Sequence, residues 1–430
     1  MVWWWNRSRL GGSGPSASTL LGALVIALMA PYLYERVPAL AAFYNNAPKR
    51  LVRVNNLGRS HEVKFADRDG VRSCEDALMV ESIGVAIVAC DPGRERWNTV
   101  MGIFLPDPVP GADIYIYDYK SASTPDSEAL QRVELVGFPG GSDLHTLGMA
   151  FDEATSTLFV SNHAKAGPRI EVFKLEANAL KATHVRTVSH PLIHGPNSIA
   201  LASSEELLVT NDHAIPATRS KFLSMLETYL APPTGTVVHV DLGGAGIEAD
   251  VIARVPFANG IEILNATTVA VASTSRGAVY LYTMTPRSLP SSSQPNDGRV
   301  AQKRTPELTY ASRIRVPFMP DNLSLSRSKT GRTKLIIAGH AHPPSLTRFT
   351  ATRHICNDPA ELARADPETA WYCETATAPS WVSEWSEEDG LRDLYVGTEY
   401  PSSATAARDA DRGVGIVAGL YAKGLLVWRE

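Results

Sequence analysis

The sequence predicts an all-β protein, a six-bladed β-propeller with an N-terminal hydrophobic anchor segment, and three observations predict it. Short alternating segments of Val, Ile, Leu and Tyr, bounded by Gly, Asn, Asp and Pro, run from about Arg50 to the end. They recur as units of display strand, turn and second strand, with a spacing of roughly 40 to 60 residues. A small polar pair precedes an equivalent strand in several of these units. Five or seven blades would also fit so irregular a repeat, and a two-domain β-sandwich is the alternative architecture.

Composition supports one large folded body. Of 430 residues, 44% are hydrophobic and 20% charged, which is enough for a substantial core. A net charge of -4 shows no basic excess, which argues against nucleic acid as a partner. The 31 Gly and 29 Pro suit many short strands joined by turns. The acidic run from Glu384 to Asp389 reads as a solvated loop. Four cysteines without a C-x-x-C pair disfavour a thiolate metal site. Cys356 and Cys373 flank a short polar segment and are placed to staple it, which requires an oxidising compartment.

Residues 1–49 form the N-terminal tail and residues 50–430 the propeller. Within the tail, Arg7 and Arg9 precede an apolar run from Thr19 to Tyr34. The run is long for a signal peptide and slightly short for a span of about 20 residues. Its positive flank directs the body to the lumen or the exterior, as a signal anchor or, if cleaved, as a secreted protein. Asn265-Ala-Thr and Asn322-Leu-Ser match glycosylation acceptors, the second only if Asn322 is not a buried ligand.

Paired strands then follow in order. Val85 to Asp91 is followed by Ala112 to Asp118, and Thr157 to His163 by Arg169 to Leu175. Leu207 to His213 is followed by Gly235 to Asp241, and Thr268 to Thr274 by Gly277 to Tyr282. Lys334 to His340 opens another unit, and Asp393 to Glu399 the last, which closes with Lys423 to Arg429. Long helical periodicity is rare, and Lys221 to Leu230 is the one amphipathic insert.

Glu75-Asp76, Leu147-Gly148, Asn197-Ser198, Asn259-Gly260 and Asp321-Asn322 each stand before the innermost strand of a unit. The next strand runs antiparallel, so its end returns to the same face. Those ends carry Asn162-His163, Asn211-Asp212-His213 and the stretch from Gly339 to His342. Two sets of polar residues therefore meet at one rim of the central channel. Hard oxygen donors without thiolate favour calcium. Glu75, Asn197, Asn211, Asp321 and Asn322 supply one such shell; Asp76 and a main-chain carbonyl near Met149 contribute to another. Asx turns at strand starts are the plain alternative. His145, His163, His213, His340 and His342 share the face, as bases for activating water or as simple hydrogen-bonding residues. Neither a G-x-S-x-G elbow nor an H-E-x-x-H helix is present.

From about Arg50 onward the chain resembles the serum paraoxonase/arylesterase family. The resemblance rests on the stretch Phe257 to Ile261, on Thr210-Asn-Asp-His213, on Asp321-Asn322 before its strand, on Cys74-Glu-Asp76, and on Asn162-His163. It implies a calcium-dependent six-bladed propeller tethered by a hydrophobic N-terminus. Catalytic calcium would lie on Glu75, Asn197, Asn211, Asp321 and Asn322, with a structural calcium on Asp76 and the main chain near Met149. Of the family's histidine dyad, His163 fits one member. Leu147 occupies the other position, with His145 two residues earlier as the substitute. Ser198 replaces the second site's further Asp, and the C-terminus lacks the family's ring-closing cysteine.

The resemblance thus implies a hydrolase of aryl esters or lactones, in which calcium polarises the carbonyl and activated water attacks. Its partners would be a small ester or lactone and, through the N-terminal segment, a membrane. The competing readings are a non-catalytic, membrane-anchored calcium-binding propeller and an enzyme of the gluconolactonase or strictosidine-synthase-like kind.

Overall fold

A computed structural model describes residues 16–121, 123–286, 305–329 and 331–430. Arg7 and Arg9, the positive flank of the apolar run, lie outside these residues. The chain divides into a compact unit ending at Ala41 and a second from Ala42 to Glu430.

Helix α1 (Ala17–Asn45) carries the apolar run. No single helix among the described residues is long and apolar enough to cross a membrane. Ala17–Ala27 and Met29–Asn45 reach that length and composition together, with a 45° bend between them. Pro31 accounts for the bend, because its ring clashes with the carbonyl four residues back, at Ala27, and leaves that carbonyl without a donor.

The second unit is a six-bladed propeller. Its innermost strands are β1 (Cys74–Val80), β2 (Thr146–Asp152), β3 (Pro196–Leu201), β4 (Ala258–Asn265), β5 (Met319–Arg327) and β6 (Ser403–Asp409). Each packs beside the next, and β6 returns to β1, closing a ring. Three further antiparallel strands complete each blade, and two blades carry a fifth: Glu134–Val136, paired in parallel, in the second, and Val54–Asn55 in the fifth. The buried second strands are near-continuous aliphatic runs, such as Val85–Cys90 and Thr268–Ser273. Their side chains pack between adjacent blades, so no blade buries its two faces alone.

Ring closure uses backbone pairing. The sixth blade comprises β6, Val414–Gly419 and Leu425–Arg429, and its fourth strand is Ser60–Lys64 from the start of the unit. Asp393 to Glu399 therefore does not open the last unit. Gly390–Gly397 is an outer strand of the fifth blade, and the sixth begins at Ser403. The turn signal at Asp389-Gly390 closes a hairpin within one blade, a distinction that strand pattern alone does not make. Glu384, expected in a solvated loop, is buried in strand Ser380–Ser386 and paired with Lys334 and Arg408.

Helix α2 (Lys221–Leu230) forms where the amphipathic pattern places it, N-capped by Ser220. Between the second and third strands of the fifth blade lies an insert that the periodicity did not reveal. It contains α3 (Pro343–Cys356), Pro359–Leu362 and α4 (Pro367–Thr375). Its helices have almost no hydrophobic asymmetry, so capping defines them: His342, Asp358 and Asp366 accept amide hydrogens, each followed by proline. The expected Cys356–Cys373 disulfide staples this insert. A second disulfide, Cys74–Cys90, joins β1 to its neighbouring strand and was not foreseen.

Candidate active site

All six inner strands share one irregularity. The register with the second strand shifts between Cys74 and Asp76, Thr146 and Met149, Pro196 and Ile199, Ala258 and Ile261, Pro320 and Leu323, and Ser403 and Thr405. Each shift is a β-bulge at the same end of its strand. A bulge re-aims its side chain out of the pleat. The residues in the shifted segments are Glu75, Leu147-Gly148, Asn197-Ser198, Asn259-Gly260, Asp321-Asn322 and Ala404. Four of the six bulges thus place an oxygen-bearing side chain at one level of the axis.

Glycine allows the close approach between blades at this level. A Cβ on Gly260 would stand 2.6 Å from the Asp321 carbonyl oxygen and 2.7 Å from Asn322 Cα. A Cβ on Gly148 would stand 2.7 Å from the Asn197 carbonyl oxygen. Both obstructions are backbone, so each glycine seats the next blade's polar residues.

Glu75, Asn197, Asn259, Asp321 and Asn322 are all buried, at 1 to 5% exposure. Asn322 Nδ2 donates to Glu75 Oε1 at 2.8 Å and to Thr405 Oγ1 at 2.9 Å. Asn259 Nδ2 donates to Thr274 Oγ1 at 2.9 Å, and that hydroxyl donates to the Pro320 carbonyl at 2.7 Å. Four enclosed acceptors, Glu75 Oε2, Asn197 Oδ1, Asn259 Oδ1 and Asn322 Oδ1, have no donor among the described residues. Orphaned acceptors at this density are costly unless a cation satisfies them. Among the described residues no three His, Cys, Asp or Glu side chains form a metal cluster; this donor set consists of two carboxylates and three amides. Burial, then the charges of Asp321 and Asp76, holds the Glu75 carboxyl well above its ordinary range.

Asn211 does not join this ring. It ends the second strand of its blade, where its Oδ1 accepts from His194 N at 3.0 Å and Gly195 N at 2.9 Å. Its Nδ2 donates to Leu192 O and Thr236 Oγ1, both at 2.9 Å. Asn162 holds the same position one blade earlier and likewise accepts from His145 N and donates to Asp143 O. Both amides clamp the loop that enters an inner strand. The shared placement of Asn197 and Asn259 before their strands was the signal that favoured Asn259 over Asn211.

Asp76 differs from the ring residues because both its oxygens are engaged. Oδ1 accepts from Ala77 N at 2.8 Å and Thr405 Oγ1 at 3.1 Å, and Oδ2 from Met149 N at 2.7 Å. Met149 thus meets Asp76 through its amide. Burial pushes the Asp76 carboxyl up to about 6 against these hydrogen bonds. With Ser198 uncharged beside them, these residues do not fit a second calcium. Below the ring the inner strands enclose a cavity of about 460 Å³ with Asp76 and Asn322 among its lining, which also includes Glu81, Glu262 and Arg327. Burial pushes Glu262 up to about 7, opposed by Arg327.

The histidines divide by what their nitrogens touch. His163 Nε2 donates to the Pro196 carbonyl at 2.8 Å, and its Nδ1 meets the Thr99 hydroxyl. Both nitrogens are occupied, and burial lowers its pKa, so this imidazole is neutral. His145 Nδ1 lies 3.3 Å from Asp91, while its enclosed Nε2, 3.9 Å from Asp143 Oδ1, has no hydrogen-bond partner among the described residues. The two rings are not hydrogen-bonded to each other; their link is His163 N to His145 O at 2.8 Å. His340 Nε2 stands 2.9 Å from Asp321 Oδ2, with Nδ1 unpartnered. His213 bridges Asp212 and Thr228 of α2. His342 is the N-cap of α3. Asn322 is buried in the ring, and its amide nitrogen, engaged by two acceptors, is closed to glycosylation; Asn265 is exposed at the end of β4.

Residues 103–287 match the family model described as Arylesterase. Mouse serum paraoxonase/lactonase 3 is 31% identical over 144 residues, 32% of this chain and 37% of that protein. Bovine serum paraoxonase/arylesterase 2 is 34% identical over 109 residues, 25% of this chain and 29% of that protein. Over its central blades the chain is similar to the serum paraoxonase/arylesterase family. The stretch aligned with these curated relatives is about a third of their length. In this paraoxonase-like chain the family-model match includes His145, His163, Asn197, Asn211 and Asn259, whereas Glu75, Asp321 and Asn322 lie outside it. Among solved structures, one titled as a putative gluconolactonase superposes with a TM-score of 0.44 at 12% identity, covering 86% of this chain and 92% of that one.

Proposed function

We propose that the protein is a calcium-dependent hydrolase of aryl esters or lactones. The single observation that carries this reading is the ring of unsatisfied oxygens at the bulges. Glu75, Asn197, Asn259, Asp321 and Asn322 would hold one calcium, and the orphaned acceptors, all oxygen, fit that hard cation. When bound, the ion would supply Lewis-acid polarisation of a substrate carbonyl.

The protein's own groups prepare the reaction around it. His340 orients Asp321, as partners of ligating carboxylates do. His163 fixes the Pro196 carbonyl and thereby the entry to Asn197. Asp91 aligns His145 through Nδ1, and the open Nε2 of His145 takes a proton from water. His145 is therefore the base in this reading, and His163, paired with it in the sequence reading, is a positioning residue.

Phenyl acetate and a lactone panel, assayed with and without chelator, test the proposal. Hydrolysis should be lost on chelation and restored by calcium. His145→Gln should lower kcat by about 10²-fold or more while leaving calcium binding intact. Absence of chelator-sensitive turnover above that of an Asn322→Ala variant would refute it. Two disulfides support a secretory-pathway location, and the apolar α1 supports anchoring there.

A further inference from the structure

Beside the ring stands a buried cation that the proposed hydrolysis does not use. Arg94 lies in the 3₁₀ turn Pro92–Glu95 and is 3% exposed. Its Nη2 donates to the Thr146 carbonyl, and its Nε has no acceptor. Among the described residues no carboxylate oxygen lies within 4 Å of its guanidinium. It is close enough to Glu75 and His163 for its charge to bear on both.

The neighbouring acids have other partners. Asp91 faces His145, Asp212 faces His213, and Asp321 faces His340. Glu95 pairs with Arg72 and accepts from Asn357. Glu75 accepts from Asn322. A guanidinium stays charged at any working pH, so burial without a carboxylate in ion-pair contact is costly unless an anion arrives. The turn is also braced: Tyr421 donates to the Arg94 carbonyl at 3.3 Å, and Asn357 of the stapled insert holds Glu95 at 2.7 Å.

We infer that Arg94 is the counter-ion for an anionic group on the substrate, so that the site selects esters or lactones that carry a carboxylate. This rests on the hydrolase reading and names its substrate class. The planar fork of arginine suits a carboxylate by two parallel hydrogen bonds, and lysine reproduces the charge without that fork.

Para-acetoxybenzoate and phenyl acetate are compared on the wild type, Arg94→Lys and Arg94→Met. The wild type should prefer the anionic ester by tenfold or more in kcat/KM. Arg94→Met should lose that preference through KM and keep turnover of phenyl acetate, with Arg94→Lys between them. Benzoate should raise the melting temperature of the wild type but not of Arg94→Met. Equal losses on both esters, or a benzoate shift that survives in Arg94→Met, would overturn the inference. Phenyl acetate turnover with neither preference nor benzoate shift removes the anion site and leaves the hydrolase. An Arg94-dependent benzoate shift with no turnover of either ester removes the hydrolase and, with it, the substrate assignment.

Discussion

Exchanging Asn211 and Asn259 for alanine separates a loop clamp from a proposed metal ligand. Asn211 makes four hydrogen bonds inside its blade, to His194, Gly195, Leu192 and Thr236. At about 1 kcal/mol net for each, Asn211→Ala costs about 2 to 4 kcal/mol, the lower figure applying if water refills the site. Asn259 makes one side-chain bond, to Thr274, and leaves Oδ1 orphaned. Asn259→Ala forfeits about 1 kcal/mol and also removes a buried acceptor whose desolvation costs about 1 to 3 kcal/mol. The chelated Asn259→Ala protein should therefore melt at or slightly above the chelated wild type, and chelated Asn211→Ala well below it. Calcium reverses the comparison. Loss of one ligand that weakens affinity tenfold removes about 1.4 kcal/mol of metal-linked stabilisation. Asn211→Ala should keep the full calcium shift, and Asn259→Ala should lose much of it. Calorimetric melting with chelator and with calcium, backed by calcium titration, measures both quantities. A calcium shift lost in Asn211→Ala and kept in Asn259→Ala would refute the ring.

Three further outcomes follow from the same geometry. Gly260→Ala should push Asp321 and Asn322 out of place, because a Cβ there meets backbone at 2.6 to 2.7 Å. A stability loss of about 1 to 3 kcal/mol together with weakened calcium binding is expected, and unchanged binding would count against the seating role. Glu262→Gln should stabilise the protein at pH 8 and not at pH 4. The carboxyl is raised by burial from 4.5 to about 7, so its destabilisation sets in above the unfolded value and is complete above the folded one. The gain is at most about 3 kcal/mol at 1.36 kcal/mol per unit, and equal melting shifts at both pH values would contradict it. Reduction of the native protein followed by alkylation should tag Cys356 and Cys373 alone, since Cys74 and Cys90 are fully buried. Tagging of all four before unfolding would show that the first blade opens.

The sequence determined the repeat, the all-β class, helix α2, the Cys356–Cys373 staple and the oxygen character of the site. Those features are local: a strand betrays itself by alternation, a helix by its apolar stripe, and a polar residue of the ring by standing before a strand. Tertiary structure decided what depends on register and direction. Asn211 and Asn259 are both asparagines at the edge of a strand, yet only Asn259 sits on a bulge that turns it out of the pleat. Blade boundaries were hidden because Gly390–Gly397 and a true second strand share the same pattern and differ only in which neighbour they pair. The capped insert after His340 carries little amphipathic signal, and its form comes from capping and the disulfide. Which histidines keep an open nitrogen, and that Arg94 has no carboxylate in ion-pair contact among the described residues, are facts about contacts between blades. Residues far apart in the chain meet there only because the ring closes.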